Sequence, residues 1–228
     1  MKNLEFIISK DGSHTLFDKE LNETYHSTHG AIQESKHVFI ESGLVHFTEN
    51  YSKITPNILE VGLGTGLNVL LVVLWAEKHK INLEITSLEK YPLSTEITDQ
   101  LNYHEFLEPE SKTILEKIHS SAWNETIKLS EYVLFTKHDI ELNSYTNPKH
   151  NLVFYDAFAP SKQPEMWTVS SLKKMKENCT ESAIFVTYCA KGQVRRDLEL
   201  IGFDISRIPG PPGKHEMLRG TINKQQII

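Results

Sequence analysis

The chain has 228 residues, 39% of them hydrophobic and 24% charged, which fits one α/β domain large enough to bury a core and excludes disordered and collagen-like chains. The first residues carry no export signal, and the longest apolar run, residues 69–76, is far short of the ~18 residues of a membrane-spanning helix. The expectation is a cytoplasmic protein with no membrane segment. Cys179 and Cys189 have no metal-type spacing partner, so neither a disulfide framework nor a metal site is expected. The net charge of −6 is uneven: residues 1–160 carry 13 Lys+Arg against 23 Asp+Glu, and residues 161–228 carry 11 against 7. The acidic total argues against a general nucleic-acid coat protein, and the basic C-terminal third still allows a local phosphate-facing surface.

In chain order, apolar runs at 5–8 and 15–17 flank an Asp11-Gly12 turn signal and predict a β-hairpin. Residues 34–47 read as a helix despite Gly43. A short strand at 58–61 leads through a glycine-rich turn into a helix over 67–80, followed by a strand at 83–88. Residues 94–119 read as mostly helical, with breaks near His104 and Pro109. Strands are predicted at 132–135, 152–155 and 183–187, and helices at 169–177 and 191–201. Residues 203–208 and 216–222 form two final strands joined by Pro209-Gly210-Pro211-Pro212-Gly213. Strands alternating with helices predict a parallel sheet with right-handed crossovers. The two consecutive strands at the end make the last one antiparallel.

Glu60-Val61-Gly62-Leu63-Gly64-Thr65-Gly66 lies between a strand and a helix. Glycines there permit a sharp turn and close backbone approach to a ligand, and the helix N-terminus offers free N–H groups. The spacing is Gly-x-Gly-x-Gly, which departs from the Gly-x-Gly-x-x-Gly dinucleotide fingerprint. Asn68 follows on the first helical turn. Glu89, 23 residues beyond Gly66, ends the next strand, where an acid can accept hydrogen bonds from both ribose hydroxyls. Asp139, after the third core strand, is a candidate either for an adenine amino group or for a helix N-cap.

The run 155–167, YDAFAPSKQPEMW, is the most distinctive. Asp156 falls at the C-terminal end of the fourth core strand, the ligand-facing edge of such sheets. Phe158 and Trp167 are candidates for stacking on a base, with core packing the competing reading for each. Lys162 supplies a cation.

Four stretches together resemble the methyltransferase domain of the bifunctional tRNA 5-methylaminomethyl-2-thiouridine biosynthesis proteins and its stand-alone relatives: 60–68 (EVGLGTGLN), 87–93 (SLEKYPL), 156–167 (DAFAPSKQPEMW), and 194–203 (VRRDLELIGF) with 214–220 (KHEMLRG). Residues 24–34 (TYHSTHGAIQE) are similar to that family's entry segment. Ala157, His138 and the loop 210–213 depart from its common pattern. The resemblance implies a Rossmann-like class I fold: a mostly parallel seven-stranded sheet with an antiparallel last strand, residues 1–50 being an N-terminal hairpin and helix extension and 51–228 the methyltransferase domain. It implies S-adenosyl-L-methionine as cofactor, held by Glu60, Gly62, Gly64, Gly66, Asn68, Glu89, Lys90, Asp139 and Asp156, with no metal. It also implies N-methylation of 5-aminomethyl-(2-thio)uridine at the tRNA wobble position, in the anticodon stem-loop. The expected catalytic residue is Asp156, acting more by orienting the amine than as a base, because an ordinary aspartate is weakly basic. Tyr25, Glu34, Phe158, Lys162 and Trp167 are the expected substrate contacts, and Arg195 and Arg196 the expected phosphate contacts. Lys191, Arg207, Lys214 and Arg219 are further candidates for phosphate. No fused flavin oxidoreductase domain is expected. Two other readings stay open: a methyltransferase of a small-molecule amine, and a nucleoside- or NAD-binding protein without methyl transfer.

Overall fold

The computed structural model describes residues 3–147 and 149–222. Strands β1 (Leu4–Ile8), β2 (His14–Asp18) and β3 (Glu23–Thr24) form a small antiparallel sheet, one strand more than the predicted hairpin. A helical run over residues 31–50 follows, with a π-helical centre at Lys36–Val45. Gly43 does not break it. A Cβ there would stand 3.0 Å from the Phe154 ring and 3.1 Å from Val186, so the absent side chain lets this helix lie close on the main sheet.

The main sheet has the order β10-β11-β9-β8-β4-β5-β7-β6. Its strands are β4 (Asn57–Val61), β5 (Leu83–Leu88), β6 (Thr126–Lys128), β7 (Val133–His138), β8 (His150–Tyr155), β9 (Cys179–Thr187), β10 (Phe203–Pro209) and β11 (Glu216–Ile222). The five strands β4, β5, β7, β8 and β9 pair in parallel, and β11 lies antiparallel between β9 and β10, as the final-hairpin pattern predicts. Strand β6 goes beyond the sequence expectation: it is a three-residue antiparallel edge strand with mostly exposed side chains and no apolar run to mark it. The predicted helices appear as Leu67–His79, Val169–Glu177 and Gly192–Leu200. The stretch at 94–119 breaks, as predicted, into Thr95–Thr98, a 3-10 turn at Tyr103–Glu105 and Ser111–Ser120.

Helix Leu67–His79 is apolar around nearly its whole circumference, with Leu67, Val69, Leu70, Leu71, Val72, Val73 and Ala76 all buried. A helix patterned this way is buried over most of its length, with only its C-terminal turn at Lys78 and His79 exposed; its buried residues share one core cluster with Val38, Phe39 and Leu44 of the 31–50 run and Leu115 and Ile118 of Ser111–Ser120. Among the described residues no helix is long and apolar enough to cross a membrane.

Chain direction across the sheet reverses at β4: β5 lies on one side and β8 on the other. A crevice opens at such a switch point, outside the carboxyl ends of the strands.

Candidate active site

That crevice is a cleft lined by the loops leaving β4, β5, β7, β8 and β9, with Tyr25 and His26 from the N-terminal segment closing it. Its geometry begins with register. Val61 pairs with Tyr155, and the Asp156 N–H donates to the Val61 carbonyl at 3.0 Å. The two motifs found in the sequence therefore leave the sheet side by side. Gly62 has φ +98°, and a Cβ there would sit 2.9 Å from the Asp156 carbonyl oxygen. The left-handed backbone and the close approach both require glycine. Gly66 sits at φ +75° as the N-cap of Leu67–His79.

Glu89, at the tip of β5, accepts from the Gly64 N–H at 3.0 Å through one oxygen and from the Tyr91 N–H at 2.8 Å through the other. Each carboxylate oxygen keeps a second lone pair, so the group is oriented at the cleft edge and still able to accept from a ligand hydroxyl. Lys90 also lines the cleft and pairs with Glu141 at 2.6 Å.

Beneath the cleft lies a buried polar layer. Asn68 Nδ2 donates to Asp156 Oδ2 at 2.8 Å, and its Oδ1 has no partner. Glu60 is wholly buried; one carboxyl oxygen accepts from the Ser87 hydroxyl and the other has no partner. Burial pushes the Glu60 carboxyl up to about 8, a shift the Ser87 hydrogen bond opposes and nearby Asp156 reinforces. Burial also pushes Asp156 up to about 7, against the hydrogen bond from Asn68. The expectation that Asp156 mainly orients rests on an ordinary aspartate, and this site does not hold one. A carboxylate near 7 is a competent base at neutral pH.

Of the expected substrate contacts, Tyr25 and Phe158 line the cleft and pack edge to face, ring centres 5.0 Å apart. Trp167 does not line it: only 5% exposed, it packs on Tyr155, and its indole N–H donates to the Phe158 carbonyl at 2.7 Å. Trp167 supports the loop from below. Lys162 lies outside the lining, as does Asp139, which is exposed and caps no helix; Glu141 is the residue that precedes the 3-10 turn Leu142–Ser144. In place of Asp139, Ile140, Glu141, Leu142 and Asn143 face the cleft. Glu34 sits behind the lining with its carboxylate held by Ser27 N–H and Lys214. Arg195 and Arg196 are on Gly192–Leu200, paired with Glu199 at 2.6 Å and bonded to Gln193 at 2.8 Å.

Further cleft residues outside the expected site include Tyr188 and His26. Tyr188 follows β9 directly and donates its hydroxyl proton to the Ala157 carbonyl at 2.9 Å. The strand-end rule that points to Asp156 applies equally to the end of β9. His26 lines the cleft with a buried Nδ1 that has no partner, and burial lowers its ring to about 4, so it is neutral. In the sequence only its place inside the entry segment 24–34 points to it.

The cofactor expected here can be tested against these residues. A left-handed glycine turn with no room for a Cβ at Gly62, two buried oxygens without partners on Asn68 and Glu60, and an oriented acid on β5 suit a ligand that carries an amino-acid group and a ribose. A doubly wound sheet with these features defines a nucleoside-binding Rossmann-like fold of the methyltransferase type.

The comparison with protein families narrows this. The chain belongs to the S-adenosyl-L-methionine-dependent methyltransferases: the family model bearing that description matches residues 100–223. It uses S-adenosyl-L-methionine as cofactor. It is 28% identical over 244 residues to the tRNA 5-methylaminomethyl-2-thiouridine biosynthesis bifunctional protein MnmC of Pseudoalteromonas atlantica, covering 99% of this chain and 34% of that protein. It is 31% identical over 224 residues to the MnmC protein of Leptospira interrogans, covering 91% of this chain and 34% of that protein. The chain thus spans about a third of the length of these relatives. The crystal structure of MNMC2 from Aquifex aeolicus is similar with a TM-score of 0.79 and 28% identity, over 98% of this chain and 71% of that one.

Proposed function

We propose that this chain transfers a methyl group from S-adenosyl-L-methionine to the side-chain amine of 5-aminomethyl-(2-thio)uridine at the wobble position of tRNA, giving the 5-methylaminomethyl form. The observation that carries this reading is Asp156: a carboxylate raised to near neutrality at the cleft edge, hydrogen-bonded to Asn68 and walled by the rings of Tyr25, Phe158 and Tyr188. A carboxylate among aromatic rings suits an amine carried on a planar base. The MnmC relatives support the choice of acceptor. In this reading residues 1–50 are an extension that completes the acceptor wall, residues from 51 onward are the methyltransferase domain, and the protein works in the cytoplasm where its tRNA is found.

The cofactor supplies an electrophilic methyl group on a sulfonium whose charge makes the thioether a good leaving group. The Gly62–Gly66 turn would let its amino-acid end lie close to the backbone beside the Asn68 side chain, Glu89 would hold its ribose, and the Ile140–Asn143 segment its base. Glu60 and Ser87 brace that layer from beneath. Asp156 accepts a hydrogen bond from the amine N–H, which aims the nitrogen lone pair along the line of displacement. Once the new C–N bond forms, the nitrogen carries an extra proton, and the Asp156 carboxylate is placed to take it. Tyr25, Phe158 and Tyr188 flank the base and exclude water.

The test is direct. Purified protein is incubated with methyl-labelled cofactor and tRNA that carries the aminomethyl group, alongside fully modified tRNA, and the nucleosides are separated by mass spectrometry. Label in 5-methylaminomethyl-uridine from the first tRNA alone is expected. Label absent from both tRNAs but present on free small amines would replace this reading with the small-molecule one.

A further inference from the structure

Lys214 lies in the loop between β10 and β11, 180 residues from Glu34 in sequence, yet its Nζ stands 2.6 Å from Glu34 Oε1. The same Nζ lies 3.8 Å from the centre of the Tyr188 ring, within cation–π range. Glu34 is only 8% exposed, and its other oxygen accepts from the Ser27 N–H at 2.7 Å, next to the cleft residues Tyr25 and His26. Tyr188 is tied in turn to Ala157, the neighbour of Asp156. One ion pair therefore joins three cleft segments that are remote in sequence. Partly buried pairs recover little net stability, because desolvation offsets the attraction; this one has a location that stability alone does not require. The sequence pattern groups Lys214 with the phosphate-contacting cations, but its ammonium faces inward onto Glu34 and Tyr188.

We propose that the Lys214–Glu34 ion pair is a positioning element for the methyl acceptor: it fixes the Tyr188 ring and the Tyr25–His26 segment around Asp156, and its two charges set the field at that carboxylate. The proposal rests on the reading of Asp156 as the group that meets the acceptor. The charged and titratable groups facing Asp156 are Glu34, Lys214, Glu60 and Tyr188, with Asn68 donating to it. Lys214 favours the ionised Asp156 and Glu34 opposes it.

The experiment follows the Asp156 carboxyl by 13C NMR titration in wild type, Lys214→Met, Glu34→Gln and Lys214→Arg, with Asp156→Asn assigning the signal and S-adenosylhomocysteine affinity measured in parallel. Lys214→Met should raise the Asp156 midpoint and Glu34→Gln should lower it, each by roughly half a pH unit. Lys214→Arg should return it near wild type, and cofactor-product affinity should stay at the wild-type value throughout. Glu34→Gln keeps an acceptor for the Ser27 N–H, so it reports even if Lys214→Met folds poorly. Shifts of the same sign, no shift, or affinity falling in step with Tm would overturn the proposal. The titration needs no acceptor, so a wild type that fails to methylate tRNA would sink the proposed function and leave this measurement standing.

Discussion

On the cofactor side of the cleft, Gly62, Gly64 and Glu89, with Asn68 buried beneath them, all come from one β-α-β passage, β4 through the tip of β5. On the acceptor side, Tyr25, Asp156, Tyr188 and the Lys214 that backs them come from four separate parts of the chain. The first wall is set by local backbone geometry: a left-handed glycine turn, a helix N-terminus and a strand end. The second is set by tertiary packing, with side chains held by other side chains and by distant carbonyls. The consequence is a difference in how each wall fails. A backbone lesion at Gly62 should damage cofactor binding and stability together, whereas a side-chain change on the acceptor wall should separate catalysis from cofactor binding.

Asp156→Asn is the sharpest break of that comparison. It keeps the shape and an acceptor for Asn68 but removes the ionised carboxylate. Methyl transfer should fall by roughly 100- to 10,000-fold, the range expected for losing an acid–base group, while S-adenosylhomocysteine affinity measured by calorimetry stays close to wild type. Equal losses in both would merge the two walls. Gly62→Ala tests the other side. At φ +98° with the new Cβ 2.9 Å from the Asp156 carbonyl, the strain should cost about 2 kcal/mol in denaturant unfolding, and cofactor-product affinity should fall with it. Normal affinity in a destabilised Gly62→Ala protein would show that the turn does not cradle the ligand.

The same contrast decides what is legible in the sequence. Gly62, Gly64 and Glu89 are readable because turn chemistry and strand ends leave short-range marks, and the parallel sheet is readable from its alternation with helices. Asp156 is readable as a strand-end acid, but its raised pKa is not, since that comes from burial and from Glu34, 122 positions earlier in the chain. Trp167 resembles a stacking residue because composition does not reveal which way an indole faces; its N–H is taken by the Phe158 carbonyl. Asp139 lies outside the lining while Ile140 to Asn143 supply it, because a strand-end position does not fix which of the following side chains turns inward. Lys214 reads as one more surface cation because its partner lies 180 residues away.

Stability against pH probes the buried layer beneath both walls. Glu60 is raised to about 8 and Asp156 to about 7 in the folded protein. Between the ordinary carboxylate range and those values, the unfolded chain releases protons that the folded chain retains. The stabilisation is fully present at acidic pH below the unfolded values and is lost as pH rises through 7 to 8, with a slope of up to about 1.4 kcal/mol per pH unit for each proton. Glu60→Gln retains an acceptor for Ser87 and removes one of the two protons from that balance. Its Tm should therefore drop less between pH 5 and pH 8 than that of the wild type. Parallel curves for the two proteins would mean that Glu60 does not titrate in this window.

The smallest expected effect lies outside the cleft, on helix Gly192–Leu200, where the tRNA reading places phosphate contacts. The two adjacent arginines are not equivalent. Arg195 is neutralised by Glu199 at 2.6 Å, whereas Arg196 is exposed and donates to the uncharged side chain of Gln193. An exposed cation bonded to a neutral amide is a better counterion for a phosphate than one already matched by a carboxylate, and each such contact contributes to the salt dependence of binding. Arg196→Ala should weaken tRNA binding only a few-fold and lower the slope of log affinity against log salt by roughly 1. Arg195→Ala should change that slope less, because it also releases the Glu199 carboxylate. If both variants leave the slope at its wild-type value, these two arginines lie outside the tRNA footprint.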